Sequence, residues 1–317
     1  MMLIDYHLLK KFTVFAYGVT VVALVAVLFV GSTINGATRW LNIAGISFQP
    51  SELAKYVIVF FLAMMIDKYG KVGRNWKMPL LYLIPAVLFS LLVYKENNLS
   101  IAAIIMFVAF IMVFVSGMNG KETIALMGAG GVLGAMGIFS SDYRRERFMS
   151  FTNPWKYAND EGYQLVHSLY AIGSGGLFGV GLGNSKQKAL YMPEPHNDFI
   201  FAIIAEELGL VGCIIIMAIF AVLIIAGIDV AMKAKDKYGK LLAAGIISVI
   251  AVQVIINIAV VTGSMPVTGV PLPFISYGGT SLVFNLAAVG VLLNISRQTK
   301  SHKDEIQEKI IKSKMNV

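Results

Sequence analysis

The amino-acid sequence predicts an all-α integral membrane protein, a polytopic bundle of about eight transmembrane helices with a large external loop between spans five and six. Three observations lead to this class: the composition, a series of long apolar runs, and an uneven distribution of charge. Of 317 residues, 57% are hydrophobic and only 14% are charged, and the mean hydropathy is +0.74. Soluble domains average about 25% charged residues, so this composition excludes a soluble globular protein.

Near-continuous apolar runs that could cross a bilayer recur along the chain. A span needs about 15–25 such residues, and its backbone polar groups must be satisfied internally, so each span should be a helix. The second and third runs are short. The candidate spans are residues 10–31, 52–67, 79–94, 99–116, 121–140, 199–227, 241–262 and 279–296.

Charge is distributed unevenly between the two sides that these spans define. The side with both termini carries 17 of the 26 Lys and Arg residues and 8 of the 18 Asp and Glu residues, a net charge of +9, whereas the other side nets −1. Positive charge marks the cytoplasmic side, so we expect both termini in the cytoplasm and the loop 141–198 outside. The overall charge of +8 then reflects topology and anionic lipid, and nucleic acid is not an expected partner.

The domain organisation is correspondingly simple. Residues 1–297 form one transmembrane domain, and residues 298–317 form a mixed-charge cytoplasmic tail, expected to be a solvated helix or disordered. The first apolar run lacks a small-residue cleavage pattern, so it is interpreted as a span and not as a signal peptide. A single cysteine, Cys213, excludes a disulfide framework. Four histidines without metal-ligand spacing argue against zinc, and no metal site is predicted.

A carboxylate stands where the long external loop enters the sixth span. The polar, proline-rich run before Asp198 gives way at once to a long apolar helix. Asn197 or Asp198 could cap that helix, because a side-chain oxygen there would accept from its first free N–H groups. Asp198 could therefore be only a cap, but Glu194, His196 and two further glutamates lie nearby in sequence and favour a functional site.

Two other stretches place charge at the external edge of a span. Arg39 lies beside Trp40 in an alternating apolar and polar segment, residues 31–51, expected to lie half-buried in the membrane interface; an interfacial anchor is the alternative. Glu52 and Lys55 follow Pro50, which suits a helix start. Being three residues apart, they share a helix face. Charges at this depth indicate a functional site, unless the pair only joins two helices.

The two largest external loops complete the candidate site. The 141–198 loop contains a cationic cluster at 142–147 able to meet phosphate, an amphipathic segment at 162–173, and then Lys186 and Lys188. This combination predicts a negatively charged, lipid-linked substrate. The loop 262–281 has three prolines and four glycines, which forbid a regular helix. It is expected to line the same site, with Ser276 and His196 among the substrate-binding residues.

Several of these stretches together resemble the SEDS family (shape, elongation, division and sporulation) of bacterial cell-wall polymerases. The resemblance covers residues 5–297, and details at 183–188 and 191–196 are similar to the division and sporulation members, of the FtsW type. The motifs that carry it are Asn35-Gly36-Ala37 with Arg39-Trp40, Gln49 to Lys55, Gly162-Tyr163-Gln164, Ala171 to Gly176, Pro193 to Gly209, and Pro266 to Gly279.

The resemblance implies a peptidoglycan glycosyltransferase that polymerises lipid II, the undecaprenyl-pyrophosphate-linked disaccharide pentapeptide, on the outer face of the bacterial cytoplasmic membrane. The implied partners are a class B penicillin-binding protein transpeptidase and other division or sporulation membrane proteins. The family's catalytic carboxylate maps onto Asp198, and its charged pair maps onto Glu52 and Lys55. No cofactor is implied, although a divalent cation could assist. Lipid II flipping and non-catalytic activation of a partner synthase are the alternative functions.

The sequence departs from the family pattern in two ways. The family is usually described with ten spans, and the eight counted here begin where the family's third does, so the first two are expected to be absent. The family commonly has Gln-Pro-Asp-Leu-Gly at positions 96–100, where this chain has Asn98 and no proline. Glu96 could substitute for the displaced carboxylate.

Overall fold

The computed structural model of the chain describes residues 1–34, 37–43, 45–70 and 77–315. Ten α-helices and one small sheet make up this part of the chain. The strands are β1 (Ser32–Ile34), β2 (Ala37–Ile43) and β3 (Ile46–Phe48). The helices are α1 (Tyr6–Val30), α2 (Pro50–Tyr69), α3 (Lys77–Lys95), α4 (Leu99–Val115), α5 (Gly120–Phe139), α6 (Asp142–Thr152), α7 (Tyr163–Gly175), α8 (Ile200–Lys233), α9 (Lys237–Val261) and α10 (Gly279–Met315).

The multi-span helical class is confirmed, and a helix lies over every predicted span. Within the described residues, six helices are long and apolar enough to cross a membrane: α1, α3, α5, α8, α9 and the first part of α10, Gly279–Thr299. The other two predicted spans fall on α2, which carries charges near both ends, and on α4, which has 17 residues. The count of about eight spans therefore stays a prediction. The helix α10 continues to Met315 and so includes most of the predicted tail.

The centre of the bundle is formed by α2, α4 and α9. Ile58, Ile105 and Ile250, one from each helix, are fully buried in a single apolar core. Around this centre, α1 packs on α2, α3 packs on α4, and α8 packs on α9. Burial on several sides explains why these three helices can carry buried polar groups, such as Glu52 and Asn257, that a lipid-facing helix could not.

The first external segment was expected to lie as a half-buried stretch in the interface, and it forms a three-stranded antiparallel sheet in the order β1-β2-β3. The mixture of apolar and polar residues between 37 and 43 suits a strand, in which successive side chains point to opposite faces. Strand β2 pairs with β3 through Leu41 opposite Phe48 and Asn42 opposite Ser47. Asn35 and Gly36, part of the family motif, lie outside the described residues.

The sixth predicted span is a helix with a break. Gly209 in α8 has φ +66°, and the glycine-rich segment 175–183 lies against the break. The amides of Val180 and Gly181 donate to the carbonyls of Glu206 and Glu207 at 2.9 and 3.1 Å, and Leu210 N donates to Gly176 O at 2.9 Å. The backbone groups freed by the break are therefore paired with the 175–183 segment, as membrane burial requires.

Both ends of the spanning region can be located from long-range hydrogen bonds. At one end, Asn294 Nδ2 donates to Met2 O at 2.8 Å, so the N-terminus lies beside α10 where its apolar part ends. At the opposite end, Thr280 Oγ1 donates to Ser47 O at 3.1 Å and joins α10 to the sheet. The second end also contains the loop before α8 and the loop between α9 and α10, and it holds the candidate site.

Candidate active site

Asp198 lies two residues before the first residue of α8, and neither it nor Asn197 caps that helix. Phe199 occupies the cap position, and no side chain makes a capping hydrogen bond there. The prediction of a cap is therefore wrong for both residues. Asn197 Nδ2 instead donates to Glu194 Oε2 at 2.7 Å. Asp198 is held through its backbone, because Asn257 Nδ2 in α9 donates to its carbonyl at 2.8 Å.

The turn before Asp198 packs on the loop between α9 and α10, so His196 and Ser276 are brought to the same place as Asp198. Ser276 Oγ donates to Asn197 O at 2.8 Å, and Tyr277 N donates to His196 O at 2.9 Å. The ring of Tyr277 meets His196 edge-on at 5.4 Å between centroids. The irregular loop was predicted for 262–281; residues 262–278 contain no regular helix, but residues 279–281 already form the start of α10. This irregular backbone fixes the position of the carboxylate.

Glycine at position 269 leaves space beside the Asp198 carboxylate. A side-chain carbon added at Gly269 would lie 3.4 Å from Asp198 Oδ2. The same loop is tied to the bundle, since Asn257 Nδ2 also donates to Val270 O at 2.8 Å. One buried amide thus sets the separation between the carboxylate-bearing turn and the loop that faces it.

The surroundings of Asp198 favour its neutral form. Burial raises the pKa of the carboxyl from 3.8 to about 6, and the negative charges of Glu194 and Glu52 act in the same direction. The positive charges of Arg147 and Arg39 oppose this rise. A carboxylate whose pKa lies near the working pH can both take up and release a proton, as general acid–base catalysis requires.

Glu52 and Lys55 form the predicted pair on one face of α2. Lys55 Nζ lies 2.9 Å from both oxygens of Glu52, and the side chains are 0% and 3% exposed. Pro50 begins the helix, as expected from its fixed φ. The next residue, Tyr56, donates from its hydroxyl to Asn285 Oδ1 in α10. The pair therefore lies in the packed interior below the site.

Arg39 connects the sheet to the turn between α3 and α4. Its guanidinium donates to Glu96 O at 3.4 Å and to Asn97 O at 2.5 Å. Asn98 caps α4, with Oδ1 accepting from Ile101 N at 3.3 Å. The Glu96 side chain is 2% exposed, and its carboxylate oxygens have no hydrogen-bond partner among the described residues. Burial raises the pKa of Glu96 to about 8, against the effect of Arg39.

Lys186 and Lys188 are exposed and lie on a separate segment that a buried glutamate organises. Glu206 in α8 accepts from Ser185 Oγ, from Lys186 N at 3.1 Å and from Gln187 N at 3.3 Å. A short π-helical turn, Gln187–Tyr191, follows. The cations that act on Asp198 are Arg39 and Arg147, whereas Lys188 lines a cleft beside Tyr163.

Arg147 is the residue that sequence reasoning did not single out. The cationic cluster was predicted as a whole, and the structure divides it along α6. Arg144 donates to Tyr94 Oη at 2.8 Å, and Arg145 pairs with Asp142 at 3.1 Å. Arg147, which faces Glu161 at 3.9 Å, is the member whose charge reaches Asp198. The sequence offered one signal that could have distinguished Arg147 within the cluster, namely its position about one helical turn after Arg144.

Metal ligands were not expected, and the described part of the chain has no group of three or more His, Cys, Asp or Glu side chains placed to hold an ion. Arg39 in β2 and Arg147 in α6 are the arginines whose charges act on the Asp198 carboxyl group.

The family can be assigned from the whole chain. The family model described as "Cell cycle protein", FtsW/RodA/SpoVE, matches residues 1–301. The chain belongs to the FtsW/RodA/SpoVE family. This is the SEDS family that the sequence motifs resemble, and the match covers every element of the site.

Relatives within the SEDS family are named as sporulation and division proteins. Stage V sporulation protein E of Bacillus subtilis is 43% identical over 277 residues, covering 86% of this chain and 74% of that protein. The probable peptidoglycan glycosyltransferase FtsW of Geobacter sulfurreducens is 42% identical, covering 86% and 73%. FtsW of Bacillus subtilis is 39% identical, covering 93% and 77%.

Solved SEDS-family structures share the fold. A chain from a study titled "Structural coordination of polymerization and crosslinking by a peptidoglycan synthase complex" has a TM-score of 0.79 and 28% identity, covering 94% of this chain and 84% of that one. The rod shape determining protein RodA of Thermus thermophilus has a TM-score of 0.67 and 28% identity, covering 94% and 82%.

Proposed function

We propose that this SEDS protein is a peptidoglycan glycosyltransferase that polymerises lipid II into β-1,4-linked glycan strands. The observation that carries the proposal is the position of Asp198, a half-buried carboxyl group whose backbone is held by Asn257. Burial raises its pKa to about 6, and the charges of Arg147 and Arg39 act on it. The names of its relatives as peptidoglycan glycosyltransferases support the same reaction class.

The proposed reaction is an inverting displacement with Asp198 as general base. The 4-hydroxyl oxygen of the acceptor sugar attacks the anomeric carbon of the donor, and its proton passes to the Asp198 carboxylate. The bond from the anomeric carbon to the lipid pyrophosphate breaks, and the pyrophosphate leaves with the electron pair. One base and no covalent intermediate convert an α-linked donor into a β-linked strand. A positioned base should contribute about 10²–10⁴-fold to the rate.

The leaving pyrophosphate is an anion and needs cations more than a general acid. Arg39 and Arg147 are the proposed partners, because both charges act on Asp198 and guanidinium groups match phosphate oxygens. Lys55 was a sequence candidate, but it is buried against Glu52. We assign it to the support of the site. A divalent cation could assist the departure, and no residue is assigned to hold it.

The flippase alternative would use charges inside the membrane as a polar route. Glu52 and Lys55 are the intramembrane charges that this function needs, but each satisfies the other within a closed, bidentate contact. Asp198 lies instead at the end of a loop, before the first residue of α8. The geometry therefore supports polymerisation better than lipid transport.

We further propose that both termini are cytoplasmic and that the site faces outward, since the basic residues concentrate on the terminal side. The partner would be a class B penicillin-binding protein transpeptidase, which would cross-link the strands that this protein makes. A division or sporulation role, with other membrane proteins of those processes, fits the relatives' names.

Polymerisation of lipid II in liposomes tests the proposal. Asp198→Asn keeps the size of the side chain and the backbone contacts but removes the base, so strand synthesis should fall at least 100-fold. Glu194→Gln is the matched control, because it alters the neighbouring carboxylate that holds Asn197, and its effect should be milder. If the rate of strand synthesis by the Asp198→Asn variant lies within about threefold of the parent's rate, Asp198 is not the general base.

A further inference from the structure

A row of aromatic rings lies along the external segment between α6 and α8, outside the residues assigned to the reaction. Trp155 meets Tyr170 edge-on at 5.4 Å between centroids, and Tyr170 meets His167 at 5.9 Å. His167 is stacked on Tyr191 at 5.4 Å with only 9° between the ring planes. We call Trp155, Tyr170, His167 and Tyr191 the aromatic row. The order of the rings in space differs from their order in the chain.

The end of the row at Tyr191 is held rigidly. His167 Nδ1 lies 2.7 Å from Gln187 Oε1, which fixes the plane of the imidazole. Tyr163 Oη donates to the Tyr191 carbonyl at 2.7 Å, so α7 holds the π-helical turn in place. The rings of Trp155, Tyr170 and Tyr191 are nevertheless about half exposed, at 55%, 50% and 47%. Immobilised rings with exposed faces are prepared for stacking without further loss of conformational freedom.

The row ends in a cleft that leads toward residues 193–198, the turn that carries Asp198 and is called the catalytic turn below. The cleft has a volume of about 400 Å³ and is lined by Tyr163, Tyr191, Pro193 and Lys188, among others. Pro193 begins the turn that ends at Asp198. Lys188 is exposed and lines the same cleft as Tyr163 and Tyr191, a short distance along the chain from the proposed base.

We propose that the aromatic row and its cleft form a saccharide-binding subsite that holds the growing glycan strand beside the catalytic turn. The apolar face of a sugar ring carries C–H groups, which meet the negative face of an aromatic ring favourably. Peptide-bearing strands also carry carboxylates, which complement Lys188. The inference rests on the proposed function, because it assigns a place to the product of that reaction.

Burial of the row in the bilayer interface is the competing explanation, since Trp and Tyr are common at membrane surfaces. Two features favour saccharide. The row carries an imidazole with a fixed polar partner, and the exposed Lys188 lines the adjoining cleft. The nearby turn 177–182 exposes apolar side chains instead, including Phe178 at 80%. That turn packs against the break in α8 and has the composition expected for lipid contact.

The test is equilibrium binding of two soluble probes to the detergent-solubilised full chain carrying Asp198→Asn, which prevents turnover. The probes are a β-1,4-linked N-acetylglucosamine hexamer and an uncrosslinked, lipid-free peptidoglycan strand that retains its peptides. In this background, Tyr191→Leu keeps an apolar side chain but loses the ring face. Its affinity for both probes should fall about 3–10-fold. Tyr191→Phe should bind as the parent does. Lys188→Ala should weaken binding of the peptide-bearing strand, which carries carboxylates, and leave binding of the hexamer unchanged.

Phe178→Ala is the matched control for lipid contact, and thermal unfolding verifies that each variant is folded. Equal binding by Tyr191→Leu and Tyr191→Phe, or no binding of either probe to the parent, would overturn the proposal. If Tyr191→Leu binds normally while both Tyr191→Leu and Phe178→Ala change partition into vesicles, the row is a membrane anchor. Binding is measured without polymerisation, so a failure here is distinct from a failure of Asp198 as the base.

Discussion

Breaking the Glu52–Lys55 pair should be among the most costly single changes in this protein. Lys55 is 0% exposed and Glu52 is 3% exposed, and one ammonium group contacts both carboxylate oxygens at 2.9 Å. Removing one partner leaves a charge in the packed interior without its counter-ion. Such a change costs about 3–5 kcal/mol, which is a large part of a total stability of about 5–15 kcal/mol.

The double variant should behave differently from either single variant. Glu52→Gln with Lys55→Met removes both charges and keeps similar volumes, and replacing a buried pair in this way is often nearly neutral. We therefore expect Glu52→Gln or Lys55→Met alone to be strongly destabilising, and the double variant to recover most of that loss. Each single effect should then exceed the double effect by about 3–5 kcal/mol, the cost of one unpaired charge.

The assay is reversible denaturant unfolding in a fixed detergent, followed by near-ultraviolet circular dichroism, with the four proteins of the mutant cycle measured together. Lipid II polymerisation of the same proteins separates a supporting role from a catalytic one. The reasoning is refuted if Lys55→Met costs less than about 1 kcal/mol, the value typical of an exposed pair, or if the double effect equals the sum of the single effects.

Further outcomes follow from the site and from the break in α8. Polymerisation should rise with pH through the Asp198 pKa of about 6, because the base acts when deprotonated; a pH-independent rate between 5 and 8 would contradict this. The same raised pKa makes stability fall as pH rises from about 4 through about 6, so Asp198→Asn should unfold at a higher denaturant concentration than the parent at pH 7 and lose that advantage below pH 4. Gly179→Ala should destabilise far more than Gly183→Ala, since both have positive φ but an added carbon at 179 would lie 2.1 Å from Glu207 O, and comparable melting temperatures would refute this. Cysteines introduced at Asn159 and Lys235 should react with an impermeant maleimide in intact cells only at 159, and the reverse pattern would overturn the orientation.

Local chemistry along the chain was sufficient to predict several parts of the site. Glu52 and Lys55 lie within one turn of the helix that Pro50 begins, so their spacing alone predicted a shared face and a pair. The prolines and glycines of 262–281 predicted an irregular loop, because each of these residues disfavours a regular helix at its own position. Asp198 was marked by a local change from polar loop to apolar helix, and its motif pointed to the family that the comparisons confirmed.

Interactions between distant segments could not be predicted in this way. The mixture of apolar and polar residues in 37–43 suits a membrane-interface segment as well as a strand, and only the pairing of β2 with β1 and β3 distinguishes the two. The capping role given to Asn197 or Asp198 was wrong because Asn257 and Ser276, far away in sequence, hold the backbone of that turn.

The sequence by itself determined the membrane class, the helices and the residue types available for chemistry, because hydropathy, helix spacing and charge are summed over neighbouring residues. Only the tertiary structure decided that Arg147 and Arg39, and not Lys186 and Lys188, act on Asp198. Only it placed Gly179 against the break in α8. Electrostatic effects and close packing depend on distances of a few ångströms between segments, and those distances exist only after the helices and loops have packed together.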